Sequence, residues 1–223
     1  MTYQLIYFAD PMCSWCWGFA PVIKAVQERY DDRLPIRLIV GGLRPGTTEP
    51  LDENGKKSIQ EHWHHVEELA GQPFDHGFFD RDGFVYDTEP ACRAVVAARR
   101  LSPDAALPML RRLHQAFYAE NQDVTNGETL ATLAEEIGLP RDRFEVDWDA
   151  QDTRRETATD FQITRDTGIQ GYPALIVGSE ENGYSLVTLG YQPWQKIGGA
   201  IDGWLAQAQD EPAPAVEQSV NKT

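Results

Sequence analysis

The chain has 223 residues, of which 41% are hydrophobic and 25% charged. These are the proportions of an ordinary globular fold and leave no room for wholesale disorder or a fibrous repeat. Its 35 acidic residues against 20 basic ones give a net charge of -15, a field that repels phosphate backbones and anionic lipid, so neither nucleic acid nor a membrane is an expected partner.

In chain order, Tyr3 to Ala9 is rich in β-branched and aromatic residues and predicts a buried strand. Asp10-Pro11 breaks it, and an apolar stretch from Cys13 to about Tyr30 predicts a helix. Pro35 to Gly41 reads as a second strand, paired in parallel with the first through a right-handed crossover. Gly42 to Glu53, rich in Gly, Pro, Thr and Asp, reads as loop.

Between Asn54 and Thr167 the pattern is helical throughout. Ser58 to Ala70 stops at Gly71, and Thr88 caps a helix reaching about Leu101. Ser102-Pro103 opens the next helix, which Pro108 should kink or delay, with a bend near Leu107. Thr125 or Asn126 caps a helix closed by Gly138; Pro140 opens a short one through Phe144; Ala150 to Thr167 forms a longer one ended by Gly168. Strands return at Ala174 to Val177 and Tyr184 to Leu189, joined by a hairpin at Asn182-Gly183. Pro193 then starts a last helix to about Gln207. The predicted organisation is a βαβ and ββα unit of residues 1–53 and 168–208, a helical insertion of residues 54–167, and a disordered polar tail, 209–223.

Chemistry enters with Cys13-Ser14-Trp15-Cys16, at the junction of the first strand and helix. Unpaired N–H groups and the positive end of the helix dipole face a sulfur placed there and favour its thiolate, the nucleophile of thiol-disulfide exchange. Cys16, one turn deeper, is placed to resolve a mixed disulfide. The same spacing occurs in zinc half-sites, static disulfides and chance pairs of core cysteines. Zinc needs two further ligands, and of His62, His64 and His65 only His62 and His65 share a helical face, so no metal site is assigned.

A second signal is Gly168-Ile169-Gln170-Gly171-Tyr172-Pro173, a glycine-bracketed loop meeting a proline just before an apolar strand. Together with the cysteine pair and Pro21, five residues after Cys16, it resembles the thioredoxin fold. The helical block between the two halves is similar to the DsbA-type variant, and Asp10-Pro11-Met12-Cys13-Ser14-Trp15-Cys16-Trp17-Gly18 looks most like the cytoplasmic FrnE-type DsbA-like oxidoreductases. The resemblance implies an α/β thioredoxin-like fold with a mixed four-stranded sheet. It also implies a cis Tyr172-Pro173 bond facing the cysteines, with the Tyr172 backbone, Ser14 and Trp15 contacting substrate. It further implies thiol-disulfide exchange through Cys13, Cys16 and Pro173, with no cofactor beyond the redox-active disulfide, protein or small-molecule thiols as partners, and glutathione as a co-substrate.

Two departures stand out. Tyr7 lies six residues before Cys13, where many relatives carry a buried acid, and Ser14-Trp15 lacks the imidazolium of strong oxidants, so a reductase or isomerase is expected. The alternatives are a glutathione-dependent isomerase or transferase of the 2-hydroxychromene-2-carboxylate isomerase or kappa type, whose members usually carry serine at the position of Cys13, and a redox-inactive peptide-binding module. Cys92 reads as a buried thiol, and the aromatic residues from Trp63 to Tyr86 read as core. The amino terminus has no basic segment followed by an apolar stretch, so a cytoplasmic location is expected.

Overall fold

A computed structural model describes residues 3–30 and 33–210. Strand β1 (Gln4–Ala9), helix α1 (Ser14–Tyr30) and strand β2 (Ile36–Val40) come first, and β1 and β2 pair in parallel. Six helices follow: α2 (Glu53–Ala70), α3 (Glu89–Leu101), α4 (Ala106–His114), α5 (Gly127–Glu136), α6 (Arg141–Asp149) and α7 (Gln151–Asp166). Strands β3 (Ala174–Ser179) and β4 (Gly183–Leu189) and helix α8 (Trp194–Asp210) complete the fold. The sheet order is β2-β1-β3-β4, with β3 antiparallel to both neighbours, so the sheet is mixed and four-stranded as expected.

Strand β1 is central and buried on both faces, which is why its sequence reads as an unbroken apolar run. Leu5, Tyr7 and Ala9 face the core shared with α1 and the inserted helices; Ile6 and Phe8 pack on the opposite side with Ile39, Ala174 and Ile163 of α7. Helices thus cover both faces of the strand that ends at the cysteine pair.

Several boundaries move for identifiable reasons. Helix α2 starts at Glu53, five residues before the expected Ser58, because the Asp52 carboxylate accepts the Gly55 N–H at 2.7 Å and caps the helix. Thr88 stands at the N-cap of α3, but its hydroxyl accepts the Arg44 N–H instead of a helical one. The proline at 108 delays its helix: Pro103–Ala105 form a 3-10 turn and α4 begins at Ala106, while the irregular stretch is a π-turn at Gln115–Ala119. Helix α6 continues to Asp149, past the expected Phe144, so Asp147 and Asp149 close α6 and do not open α7. Helix α8 extends to Asp210, and the rest of the predicted tail, 211–223, lies outside the described residues.

Strand β2 is an edge, and exposed edges invite unwanted pairing. Here Asp160 of α7 accepts the Val40 N–H at 3.1 Å, and Arg99 of α3 donates to the Leu38 carbonyl at 3.0 Å. The same two side chains pair with each other at 3.0 Å, so one ion pair satisfies the strand edge and joins two inserted helices to the sheet. Burial raises the Asp160 pKa, and Arg99 opposes that shift. Truncation by Asp160→Ala should leave the Val40 N–H without its acceptor and Arg99 held only by Glu156 and the Leu38 carbonyl. We expect a loss of about 2 kcal/mol in urea-unfolding free energy, whereas a change below about 0.5 kcal/mol, the level of an ordinary surface substitution, would show that this pair does not hold the edge.

Candidate redox site

Cys13 immediately precedes α1, and its carbonyl accepts the N–H groups of Cys16 at 2.9 Å and Trp17 at 3.1 Å. Cys13 keeps 6% of its surface accessible, Cys16 none, and both are free thiols. The Cys16 thiol is pushed well above its ordinary pKa, first by burial and then by the neighbouring Cys13. Pro21 has no N–H to give the Trp17 carbonyl one turn earlier. That carbonyl instead accepts Gln72 Nε2 at 3.1 Å, and the Trp17 indole donates to the Pro73 carbonyl at 3.0 Å. The segment after α2 therefore clasps α1 where its helical ladder is interrupted. Close approach needs Gly18, where a Cβ would lie 2.8 Å from Val66 Cγ1.

The Tyr172-Pro173 bond is cis, and the Cys13 thiol donates to the Tyr172 carbonyl at 3.6 Å. The loop thus reaches the cysteines from the far end of the chain, as the glycine-bracketed proline suggested. Its anchor is not legible from that motif: the Tyr172 hydroxyl donates to the Gly41 carbonyl at 2.7 Å, and a Cβ on Gly41 would stand 2.2 Å from the Tyr172 ring. Ser14 and Trp15 are partly buried, and the Trp15 ring lies 5.5 Å from His65 and 5.9 Å from Tyr191.

Beneath the pair lies a buried acid that comes from the turn, whereas the strand position holds Tyr7. Asp10 is wholly buried; its carboxylate accepts the Met12 N–H at 2.9 Å and the Leu43 N–H at 2.6 Å, and the Cys92 thiol donates to it at 3.4 Å. Burial raises its pKa above the ordinary carboxylate value, and these hydrogen bonds hold the rise down. The Asp10 backbone carbonyl meets the Cys13 N–H at 3.1 Å and His114 Nε2 at 3.2 Å. His114 is buried and its pKa falls to about 4, so the imidazole is neutral at pH 7. The buried Tyr7 hydroxyl has no partner in hydrogen-bond geometry, and burial followed by the two sulfurs pushes its pKa well up. Cys92 is buried as expected, yet it is also a partner of Asp10.

A proline in cis beside a Cys-x-x-Cys at a helix start is now in place, and a family model for thioredoxin matches residues 7–197. The chain belongs to the thioredoxin family. Its inserted helices give the DsbA-like form of that fold. The chain is 38% identical to a candidate protein disulfide isomerase from Nitrosomonas europaea, with a TM-score of 0.88 over 93% of this chain and 99% of that one. It is 26% identical to the cytosolic disulfide reductase DsbM from Pseudomonas aeruginosa, with a TM-score of 0.73 over 92% and 98% of the two chains; DsbM has also been solved with GSH. The ClpXP adapter protein SpxH of Halalkalibacterium halodurans is 25% identical over 177 residues, 78% of this chain, and the chain spans 58% of the length of that relative.

Of the six residues singled out in the sequence, the structure brings Cys13, Cys16, Tyr172 and Pro173 together and leaves Ser14 and Trp15 at the rim. Asp10, Gly41 and His114 were missed as parts of the site. A signal existed for Asp10, an acid one turn before the cysteines, and for Gly41-Gly42 closing a strand; His114 lies about a hundred residues away in a helix and gave none.

Alkylation should label Cys13 at least about tenfold faster than Cys16 or Cys92, because a thiol that is buried reacts slowly. Peptide mass spectrometry over time reads the order, and first labelling of Cys92 would contradict the placement. Asp10 yields a pH prediction. The folded carboxyl binds its proton more tightly than the unfolded one, whose value is near 3.8. Stability from this group therefore falls as pH rises from about 4 to the raised value. The stability of the parent chain relative to Asp10→Asn should decline over that window in urea titrations; a flat difference would mean that Asp10 titrates normally.

Proposed function

We propose that the chain is a cytosolic thiol-disulfide oxidoreductase of the reductase or isomerase type. The Cys13 thiolate attacks one sulfur of a substrate disulfide, forming a mixed disulfide and releasing the other sulfur as a thiolate that takes up a proton. Cys16, once deprotonated, attacks Cys13 Sγ; the Cys13–Cys16 bond forms and the second substrate thiol leaves. The substrate is reduced to two thiols and the protein oxidised to one disulfide, and two thiols of glutathione or a protein dithiol return it to the reduced state. Pro173 walls the sulfurs, and the Tyr172 carbonyl, which holds the Cys13 thiol in the free protein, becomes available to the substrate backbone when that thiol reacts. Partly buried Ser14 and Trp15 lie where a substrate enters.

The observation that carries this reading is the Cys13 thiol on the Tyr172 carbonyl beside cis Pro173, with Cys16 sealed behind it. The names of the relatives DsbM and the candidate disulfide isomerase support the reaction class, and the GSH complex of DsbM supports glutathione as a partner. The direction of electron flow follows from local charge. Burial first and the neighbouring Cys13 next disfavour the Cys16 thiolate, and His114 is neutral at pH 7. A Cys16 thiolate disfavoured in this way supports a reducing couple.

Equilibration in defined glutathione buffers should give a potential well below the strong-oxidant value of about -120 mV. Cys16→Ser should accumulate a glutathione adduct on Cys13, and Cys13→Ser should abolish disulfide reduction. A potential near the strong-oxidant end would reverse the direction. Turnover of a small electrophile with glutathione by Cys16→Ser would place the chain with the isomerases and transferases instead.

A further inference from the structure

The histidines of α2 pair differently from the sequence expectation. His62, His64 and His65 are all exposed, but His64 lies one turn before Glu67 on the same face, and past Gly71 the chain turns back to bring His76 beside them. His76 Nε2 stands 3.3 Å from Glu67 Oε2, His64 Nδ1 stands 4.0 Å from the same oxygen, and one ligand atom from each of the three lies within 4.8 Å of the others. We propose that His64, Glu67 and His76 bind one divalent transition-metal ion of the zinc class, with the fourth coordination position open to water.

The geometry is close to what such an ion needs. Bonds of about 2.0–2.1 Å to nitrogen and oxygen in a tetrahedron put neighbouring ligand atoms roughly 3.3 Å apart, so the His76–Glu67 edge already has its length. His76 is held by aromatic neighbours, with ring centres 6.0 Å from Trp63 and 6.2 Å from Phe79. Its Nδ1 is buried without a partner, which leaves Nε2, the nitrogen facing Glu67, as the ligand atom. His64 is the exposed arm: its side chain is 56% exposed, and its Nδ1 must come closer than its present 4.0 Å from Glu67 for the ion to be shared. Its ring stacks on His76 at 4.4 Å and 18°, a contact that ligation would exchange for two metal bonds, because the ion must lie in the plane of each imidazole. Two imidazoles and one carboxylate suit zinc-class ions better than calcium or magnesium, which prefer oxygen. The net charge of -15 draws a cation in.

Such an ion would staple α2 to the turn that follows it. The same helix packs Val66 against Gly18 of α1 and places His65 on Trp15, so the ion would brace one wall of the cysteine cleft without touching the sulfurs. The site is independent of the redox reading and stands or falls separately.

The test uses the full chain without a tag, as the double variant Cys13→Ser/Cys16→Ser, so that the dithiol cannot capture the ion. Titration with Co2+, followed by visible absorption and then displaced by Zn2+, should show one ion per chain. His64→Ala and Glu67→Gln in that background should each weaken binding at least about tenfold, and His62→Ala should leave it unchanged. His64 is exposed, so its removal tests the site without threatening the fold, which far-UV circular dichroism checks. Absence of stoichiometric Co2+ binding overturns the proposal, as does binding indifferent to His64→Ala or equally lost in His62→Ala.

Discussion

The arrangement around the cysteines depends on one buried carboxylate. Asp10 leaves the central strand and gathers the Met12 N–H of its own turn, the Leu43 N–H beyond β2 and the Cys92 thiol of α3; its backbone carbonyl takes Cys13 and His114. Taking a carboxylate out of water is costly unless hydrogen bonds replace the lost hydration. Those replacements come from three separate segments of the chain. The cost of leaving Asp10 unsatisfied thus fixes where the turn carrying Cys13 lies relative to the inserted helices.

A second constraint locks α1. Proline 21 removes one rung of the helix, and the orphaned Trp17 carbonyl and the Trp17 indole are both answered by Gln72-Pro73. The Gly18 surface lets α2 come close enough for that exchange. Behind it, Trp63 stands among Phe74, Phe78, Phe79 and Tyr118, an aromatic cluster that seats the helical insertion. The Tyr86 hydroxyl reaches back from this layer to the Met12 carbonyl at 2.6 Å. The insertion is in this way part of the wall around the sulfurs, since the donors and rings that hold the cysteine turn belong to it.

The open face of the site is built from the other end of the chain. Gly41 lacks the Cβ that would collide with Tyr172, and the phenol settles on its carbonyl, placing cis Pro173 beside Cys13. A neutral His114 and a buried acid below, with cysteine rather than serine at position 13, make this a dithiol poised to donate electrons in the reading advanced above.

Local order was legible in the residues themselves. Apolar runs bounded by Asp10-Pro11 and Gly41-Gly42 marked the strands, Asn126 and Gly71 marked helix ends, and Asn182-Gly183 marked the hairpin, because each is a choice of backbone conformation made by near neighbours. The nearness of Cys13, Cys16 and Pro173 was legible only through the resemblance to the thioredoxin fold, because Cys-x-x-Cys spacing by itself has several other uses. Where α2 begins was not, because Asp52 captures an N–H only once the chain has turned. The burial of Asp10, the partnership of Cys92, the neutrality of His114 and the meeting of His64 with His76 were decided by tertiary structure alone. Each depends on which distant segment removes water from a polar group, and desolvation is a property of the packed assembly that no local pattern encodes.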